Sequence, residues 1–277
     1  MTSLALHRAR DPMAALRRAE PLYTACGLWL AALMAPTALA ATIDGRALAG
    51  ISVWDKPFKF QLALAIYAFT LAFFARWVPE ARKATRSYRW FVRAVVFAIA
   101  AEVVWITGAA AFGVKSHFNL GPVMGVVYVT MGGLATLLTA ATAHQALLIH
   151  RNPASGLTPL VKAGIVWGLA LTLPLTLATA GVMSSGQLPG AVGHHVGGTL
   201  GDAEGLFFFH WSRDSGDLRV SHFLATHTMH AVPLAAWTGK LAGLAARRWA
   251  WLAAGGWSAF VVATFMQAAM GLPLVPA

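Results

Sequence analysis

The feature that most constrains this chain is a series of apolar stretches of roughly 20 residues, the length with which an α-helix crosses the ~30 Å hydrocarbon core of a bilayer. These stretches cover residues 21–41, 58–78, 91–113, 121–148, 159–183, 220–239 and 249–271. Charged residues make up only 11% of the chain, and hydrophobic residues make up 58%. Because lipid offers no partner for an unpaired backbone amide, the stretches are predicted to be helical. The sequence therefore predicts an all-α fold, a polytopic transmembrane bundle of about seven helices, in a single domain over residues 1–277.

The distribution of basic residues orients the predicted bundle. Most of the 21 lysines and arginines lie in residues 1–20 and in the loops at 79–90, 149–158 and 240–248. Since Lys and Arg collect in the cytoplasmic loops of membrane proteins, we expect a basic cytoplasmic segment at 1–20, a cytoplasmic N-terminus and an external C-terminus. The first span resembles a secretory signal but is expected to remain an uncleaved helix. The basic cytoplasmic segments of this topology account for the net charge of +11. The lipid bilayer is therefore the expected partner, and nucleic acid is not.

The longest connection, residues 184–219 on the predicted external side, carries a glycine-rich segment with adjacent histidines, His194 and His195. Long loops without structure of their own are uncommon in compact domains and are often functional, with disorder as the other explanation. Two neighbouring imidazoles can approach one metal ion. The pair therefore predicts a metal site, and a flexible loop is the alternative interpretation.

Two further histidines approach the same external boundary. His117 follows the third span in the motif Ser-His-Phe-Asn at 116–119, and His222 lies in the first turn of the sixth span. Neutral imidazole is the commonest nitrogen ligand, and helix bundles build metal and haem sites from residues on facing helices. The pair predicts a site for haem b or a transition-metal ion. Hydrogen bonds that lock loops to helix ends are the alternative.

The sixth span contains two deeper histidines, His227 and His230. At roughly 100° per residue, the angular positions of these two side chains around the helix axis differ by about 60°, so they share a face. His222 lies about 140° from His227 around the same axis. At a rise of ~1.5 Å per residue, His230 reaches a depth similar to that of Glu102 in the third span. Burial of an ionisable group in the hydrocarbon core of a membrane costs free energy. His227 is therefore a further candidate cofactor ligand. Glu102 and His230 are predicted to form a polar network, which either handles protons or is structural.

Four charged residues near the external boundary are candidates for ligand recognition: Lys56, Lys59, Asp217 and Arg219. The two lysines run against the trend that places basic residues in the cytoplasm, which favours an anionic partner such as an acidic side chain or a substrate. Asp217 and Arg219 directly precede the sixth span, where a capping and lipid-anchoring pair is the alternative.

Several blocks of this sequence resemble, in the same order along most of the chain, an uncharacterised family of bacterial multi-pass inner-membrane proteins. The blocks are Trp-Asp-Lys-Pro-Phe-Lys-Phe at 54–60, Glu102, Ser-His-Phe-Asn at 116–119, Trp-Ser at 211–212, and Gly-Asp-Leu-Arg-Val-Ser-His-Phe at 216–223 followed by His227. The resemblance implies a location in the bacterial inner (cytoplasmic) membrane but no activity. His230 stands where glutamine is expected, and residues 108–113 replace a segment expected to be more polar. The resemblance thus favours His117, His222 and His227 over His230 as ligands.

These features predict a metal- or haem-binding membrane protein with a redox or electron-transfer role and a redox or small-molecule partner on the external side. The predicted ligands are His117, His222 and His227, with Glu102 adjusting the proton balance. The alternatives are a transporter or sensor of a small polar ligand, and a structural or assembly protein. The chain has no glycine-rich phosphate loop, no His-Glu-x-x-His motif and no Gly-x-Ser-x-Gly motif, so no reaction is predicted.

Protein purified in detergent is expected to carry visible absorption or a stoichiometric metal ion. His222→Ala should remove this signal, because the variant lacks one of the ligands. Absorption spectroscopy combined with elemental analysis measures both. A colourless, metal-free and fully stable preparation would contradict the hypothesis.

Overall fold

The computed structural model describes residues 11–117, 121–198 and 202–277, most of which are helical. The helices are α1 Pro12–Ala19, α2 Pro21–Ile43, α3 Asp55–Phe74, α4 Glu80–Lys83, α5 Arg86–Ala111, α6 Pro122–His150, α7 Pro159–Ser185, α8 Leu218–Thr226, α9 Thr228–Leu241 and α10 Arg248–Ala269. A 3₁₀ turn, Ala75–Trp77, extends α3. Two-residue strands are β1 Ala47–Leu48, β2 Ile51–Ser52, β3 Ala191–Val192, β4 His195–Val196 and β5 Gly216–Asp217.

Within the described residues, six helical segments are long and apolar enough to cross a membrane. They are Pro21–Ile43, Asp55–Trp77, Arg86–Ala111, Pro122–His150, Pro159–Ser185 and Arg248–Ala269. The prediction of a helical, multi-pass membrane protein is confirmed at this level. The basic segment predicted at 1–20 is described from residue 11 on, where α1 carries the exposed side chains of Arg17 and Arg18.

Local sequence signals set the ends of the long helices. Prolines occupy the first turn of α2, α6 and α7, where the missing amide would have no helical partner. The hydroxyl of Thr85 accepts a hydrogen bond from the amide of Tyr88 and caps α5. Helix α7 ends at Gly186, whose φ of 64° is left-handed, a conformation that glycine adopts without strain.

The first of two compact units comprises the described part of Met1–Leu48 together with Ser52–Ser116 and Thr130–Leu138. In this unit α2 packs against α3, and α3 packs against α5. The hydroxyl of Tyr88 donates to Oε2 of Glu20 at 2.9 Å, which gives this buried carboxyl group a partner. The contact ties the start of α5 to the junction between α1 and α2.

The second unit comprises Ala49–Ile51, His117–Val129 and Thr139–Ala277, and in it α7 packs against α9 and α10. A Cβ at Gly164 of α7 would overlap the side chain of Ala236, so the helices approach closely there. Small residues give membrane helices this close van der Waals contact. Because the chain divides into two units, the single domain over residues 1–277 stays a prediction.

The span predicted at 220–239 is interrupted in the structure. Helix α8 ends before His227 and α9 begins after it, and His227 itself has φ −85° and ψ 2°. Nε1 of Trp257 in α10 donates to the carbonyl of Leu224 and to the hydroxyl of Thr228, both at 3.1 Å. The indole therefore satisfies one of the carbonyls that the end of α8 leaves without a helical partner.

The interruption does not lie at the proline of this span. Pro233 predicts a bend because its ring and missing amide disturb a helix. In the structure α9 continues through Pro233, and the interruption lies at His227, nearer to the start of the span. A contact from another helix, the Trp257 indole, supports the interruption at His227.

The long connection at 184–219 contains secondary structure of its own. Strands β3, β4 and β5 form an antiparallel sheet in which His195 of the central strand lies opposite Asp217 of β5. Val196 of the same strand packs against Ala268 of α10. The sheet is thereby attached to the helices of the second unit.

Gly164→Ala is expected to destabilise the second unit by about 1–3 kcal/mol, because the new methyl group must displace Ala236 across the contact between α7 and α9. Gly181→Ala is the matched control, since a Cβ at Gly181 on the same helix meets nothing within 4 Å. The midpoint of thermal unfolding in detergent measures both. Equal midpoints for the two variants would show that α7 and α9 do not make this contact.

Candidate metal site

Three side chains of the second unit converge on one point: His194, His195 and Asp202. Oδ1 of Asp202 lies 3.5 Å from Nε2 of His194 and 3.3 Å from Nε2 of His195. The candidate ligand atoms of the three residues all lie within 4.8 Å of one another. His195 and Asp202 are buried. Among the described residues, these three side chains form the cluster of His, Cys, Asp or Glu whose geometry could hold a metal ion.

The small sheet holds the two histidines in place. His194 lies in the turn between β3 and β4, and its carbonyl accepts a hydrogen bond from the amide of Leu218 at 2.9 Å. Gly193 and Gly198 flank the strand with left-handed φ angles of 64° and 66°. A Cβ at Gly198 would lie 2.5 Å from Cβ of Ser215. Glycine therefore lets the hairpin turn tightly against the segment that precedes α8.

A chain of hydrogen bonds favours one tautomer of neutral His195. The hydroxyl of Ser212 donates to Oδ1 of Asp214 at 2.7 Å, which uses its only hydrogen. The hydroxyl of Ser215 therefore donates to Oγ of Ser212 at 2.7 Å, and its oxygen accepts from Nδ1 of His195 at 3.4 Å. A neutral His195 with its proton on Nδ1 presents a bare Nε2 to Asp202. Two sets of lone pairs then face each other, an arrangement that a cation or a proton between them would stabilise.

Burial and neighbouring charges set the protonation of the cluster. Burial lowers the pKa of His194, which keeps its imidazole neutral near pH 7. Burial by itself would raise the pKa of Asp202, but the hydrogen bond with His194 and the charge of Arg219 hold that pKa well below its usual range. Neutral imidazole and ionised carboxylate are the protonation states that metal binding requires.

Arg219 connects the cluster to the start of α8. Its Nη2 atom donates to Oδ1 of Asp202 and to Oδ2 of Asp217, each at 2.7 Å, and to the carbonyl of His210 at 2.6 Å. Its Nε atom donates to Oδ1 of Asp217 at 3.0 Å. Asp217 also caps α8 by accepting the amide of Arg219 at 2.9 Å. The pair that the sequence offers for ligand recognition or for capping is, in the structure, a capping ion pair.

The lysines predicted to recognise a ligand lie in the first unit. Lys59 forms an ion pair with Asp55 at 2.7 Å, one turn away on α3. The positive charge of Lys56 acts on the buried carboxyl group of Glu102. Glu102 thus has a cationic neighbour within its own unit. Its pairing with His230, which belongs to the second unit, stays a prediction.

The histidines in the predicted span at 220–239 have different partners. Nδ1 of His222 lies 3.3 Å from the hydroxyl of Thr179 on α7. The Nδ1 atoms of His227 and His230 lie 3.1 Å apart, so that one ring donates and the other accepts. The structure therefore brings together the two deeper histidines and places His222 against another helix.

His117 lies beside Tyr128, with the two ring centres 5.9 Å apart and the rings edge to face. Phe118 and Asn119 of the same motif lie outside the described residues. The haem or metal site formed by His117 and His222 stays a prediction.

Asp202 is the site residue that sequence reasoning missed. In the sequence it is one of several acids on the predicted external side, and its only signal is its position shortly after the adjacent pair His194 and His195. Its approach to both imidazoles depends on how the hairpin places them and on the contact with Arg219, neither of which is visible in a residue pattern.

Comparisons with protein-family models, with curated proteins and with solved structures find no match to this chain. The resemblance to an inner-membrane family stays an expectation drawn from the motifs. The chemistry of the site itself is therefore the basis for a function.

Asp217→Asn is expected to destabilise the protein by about 2–4 kcal/mol, because it leaves the guanidinium of Arg219 without its main counter-charge and weakens the cap of α8. Glu204→Gln is the control, since it removes an acidic charge from an exposed side chain in the same loop and should cost less than about 0.5 kcal/mol. Thermal unfolding of chelator-treated protein in detergent compares the two. If both variants unfolded at the same temperature, Asp217 would not hold this region together.

Proposed function

We propose that this protein is a multi-pass membrane protein that binds a transition-metal ion through Nε2 of His194, Nε2 of His195 and a carboxylate oxygen of Asp202. The observation that carries the proposal is the spacing of the two nitrogens from Oδ1 of Asp202, 3.5 and 3.3 Å. At a tetrahedral ion with bonds of ~2.0–2.2 Å, neighbouring ligand atoms lie roughly 3.3–3.5 Å apart. A good hydrogen bond between nitrogen and oxygen is shorter, ~2.9 Å.

The residues around the candidate ligands support the proposal. A histidine that binds a metal through one ring nitrogen usually donates its other N–H to a neighbour, which fixes the ring and its tautomer. Nδ1 of His195 has such a neighbour in the fully buried Ser215. The bare Nε2 that this tautomer leaves is the atom that faces Asp202.

The ligand set favours Zn²⁺ or a similar first-row transition ion. Two imidazoles and one carboxylate suit such ions, whereas Ca²⁺ and Mg²⁺ take shells of oxygen atoms. Structural zinc sites use four protein ligands, while catalytic sites use three and leave a position for water or substrate. Three ligands therefore favour an exchangeable or reactive ion over a purely structural one.

In the proposed topology, α8 and α9 form one interrupted crossing. Together with the six continuous candidate spans it makes seven crossings, with the N-terminus cytoplasmic and the C-terminus external. The metal site then lies on the external face of a bacterial inner membrane. A redox or electron-transfer role, with haem or a transition-metal ion bound by ligands from among His117, His222 and His227, is a further hypothesis that the sequence motifs support.

Chelator-treated protein in detergent is expected to bind a single equivalent of Zn²⁺, measured by calorimetry and by elemental analysis after desalting. His195→Ala and Asp202→Asn should each weaken binding by more than the ~10–100-fold that loss of an outer-shell partner costs, because each removes a ligand atom. Excess Mg²⁺ or Ca²⁺ should not compete. His150→Ala, which removes an exposed imidazole elsewhere, is the matched control and should bind Zn²⁺ like the wild type.

The same measurements distinguish this site from the one predicted at the ends of the third and sixth spans. Loss of metal in His195→Ala with retention in His222→Ala supports the site at His194, His195 and Asp202. Loss in His222→Ala with retention in His195→Ala contradicts it and favours the pair of His117 and His222. Wild-type protein that binds no Zn²⁺ would overturn the proposal.

A further inference from the structure

We infer that Arg219 is an internal cation that competes with the metal ion for Asp202, so that metal binding at this site is an exchange of one cation for another on the same carboxylate. The inference rests on the proposed metal site and adds how its affinity is set. It concerns Arg219 as a positioning residue that acts through Asp202, since no metal–ligand bond is assigned to it.

The competition follows from the atom that Arg219 contacts. Its Nη2 donates at 2.7 Å to Oδ1 of Asp202, the same oxygen that lies within 3.3–3.5 Å of Nε2 of His194 and His195. A metal ion bound between these atoms would share that oxygen with the guanidinium or take it over. Two cations that share one carboxylate oxygen repel each other, so metal binding through Oδ1 and the contact with Arg219 weaken each other.

The hydrogen-bond inventory of Arg219 shows why it can release Asp202. Nη2 carries two hydrogens, yet it lies within 2.7 Å of three acceptors, which are the carboxylates of Asp202 and Asp217 and the carbonyl of His210. One acceptor is therefore in excess. When Asp202 is released, both hydrogens still have partners in Asp217 and His210.

Arg219 also stays anchored during such an exchange. Its Nε atom donates to Oδ1 of Asp217 at 3.0 Å, so the guanidinium and this carboxylate form a two-pronged pair. The Asp217 side chain is fully buried and the Arg219 side chain is only 24% exposed. The positive charge thus remains close to the metal site, where it is poorly screened and lowers the affinity for a divalent cation.

A purely supportive role for Arg219 predicts the opposite sign. If its hydrogen bond only holds Asp202 in place, its removal should loosen the carboxylate and weaken metal binding. If Arg219 competes, removal of its charge should free the carboxylate and strengthen metal binding. The direction of the change in affinity therefore decides between the two roles.

The test is calorimetric titration of chelator-treated, full-length protein with Zn²⁺ in detergent. Arg219→Gln keeps a hydrogen-bond donor but removes the charge, and it is expected to bind Zn²⁺ at least about tenfold more tightly than the wild type. Arg219→Lys keeps the charge and should stay close to the wild type. Arg213→Gln, the same substitution at an exposed arginine nearby, should change the affinity by less than about twofold.

A second measurement covers the case in which Arg219→Gln does not fold. In wild-type protein with ¹⁵N-labelled arginine, Zn²⁺ should shift the Nη2 resonance of Arg219 while the Nε resonance, which reports the contact with Asp217, changes little. Assignment comes from the spectrum of Arg219→Lys, which lacks the signal. An Nη2 resonance that does not respond to bound Zn²⁺ would overturn the inference.

The possible failures are distinguishable. Wild-type protein that binds no Zn²⁺ overturns the metal site and the inference with it. Wild-type protein that binds Zn²⁺, with Arg219→Gln folded and binding equally or more weakly, overturns the inference and leaves the metal site standing. Tighter binding by Arg219→Gln, with Arg219→Lys near the wild type, supports both.

Discussion

The carboxylate of Asp217 holds together the parts of the second unit on which the candidate site depends. It caps α8, accepts the amide of Ser212 and binds the guanidinium of Arg219, while the backbone of the same residue pairs with His195 in the sheet. A buried carboxylate must keep its partners, because an unpaired charge away from water is far more costly than the contacts that satisfy it. The start of a helix, the loop before it and a candidate ligand therefore keep fixed positions relative to one another.

The interruption at His227 gives the histidines of the sixth span two environments. An unpaired backbone carbonyl is strongly unfavourable in a membrane, so a helix can be interrupted only where another group donates a hydrogen bond to the freed carbonyl. The indole of Trp257 does this for Leu224. As a result His222 faces α7 and contacts Thr179, whereas His227 and His230 lie next to each other across the interruption. Three histidines that look alike along the sequence therefore have different chemical surroundings.

Hydrophobic length predicted the spans well, because the thickness of the bilayer sets the length of any helix that crosses it. The stretches at 21–41 and 159–183 correspond to Pro21–Ile43 and Pro159–Ser185. The same reasoning could not find the break in the stretch at 220–239, since the group that permits it lies on another helix. It also left the loop at 184–219 without structure, because two-residue strands have no periodicity and the sheet is held by contacts with α10.

The sequence by itself was enough to predict that the chain lies in a lipid bilayer and that its fold is helical, since both depend on composition and on neighbouring residues. It also shows directly that His194 and His195 are adjacent. Only the tertiary structure decided which histidines, among the residues it describes, meet a carboxylate and which carboxylate that is. A ligand set is defined by separations of a few ångströms between side chains, and these depend on how the hairpin turns and on how Arg219 is held between Asp202 and Asp217. A residue pattern carries no information about such distances, so Asp202 became a candidate only once the chain was folded.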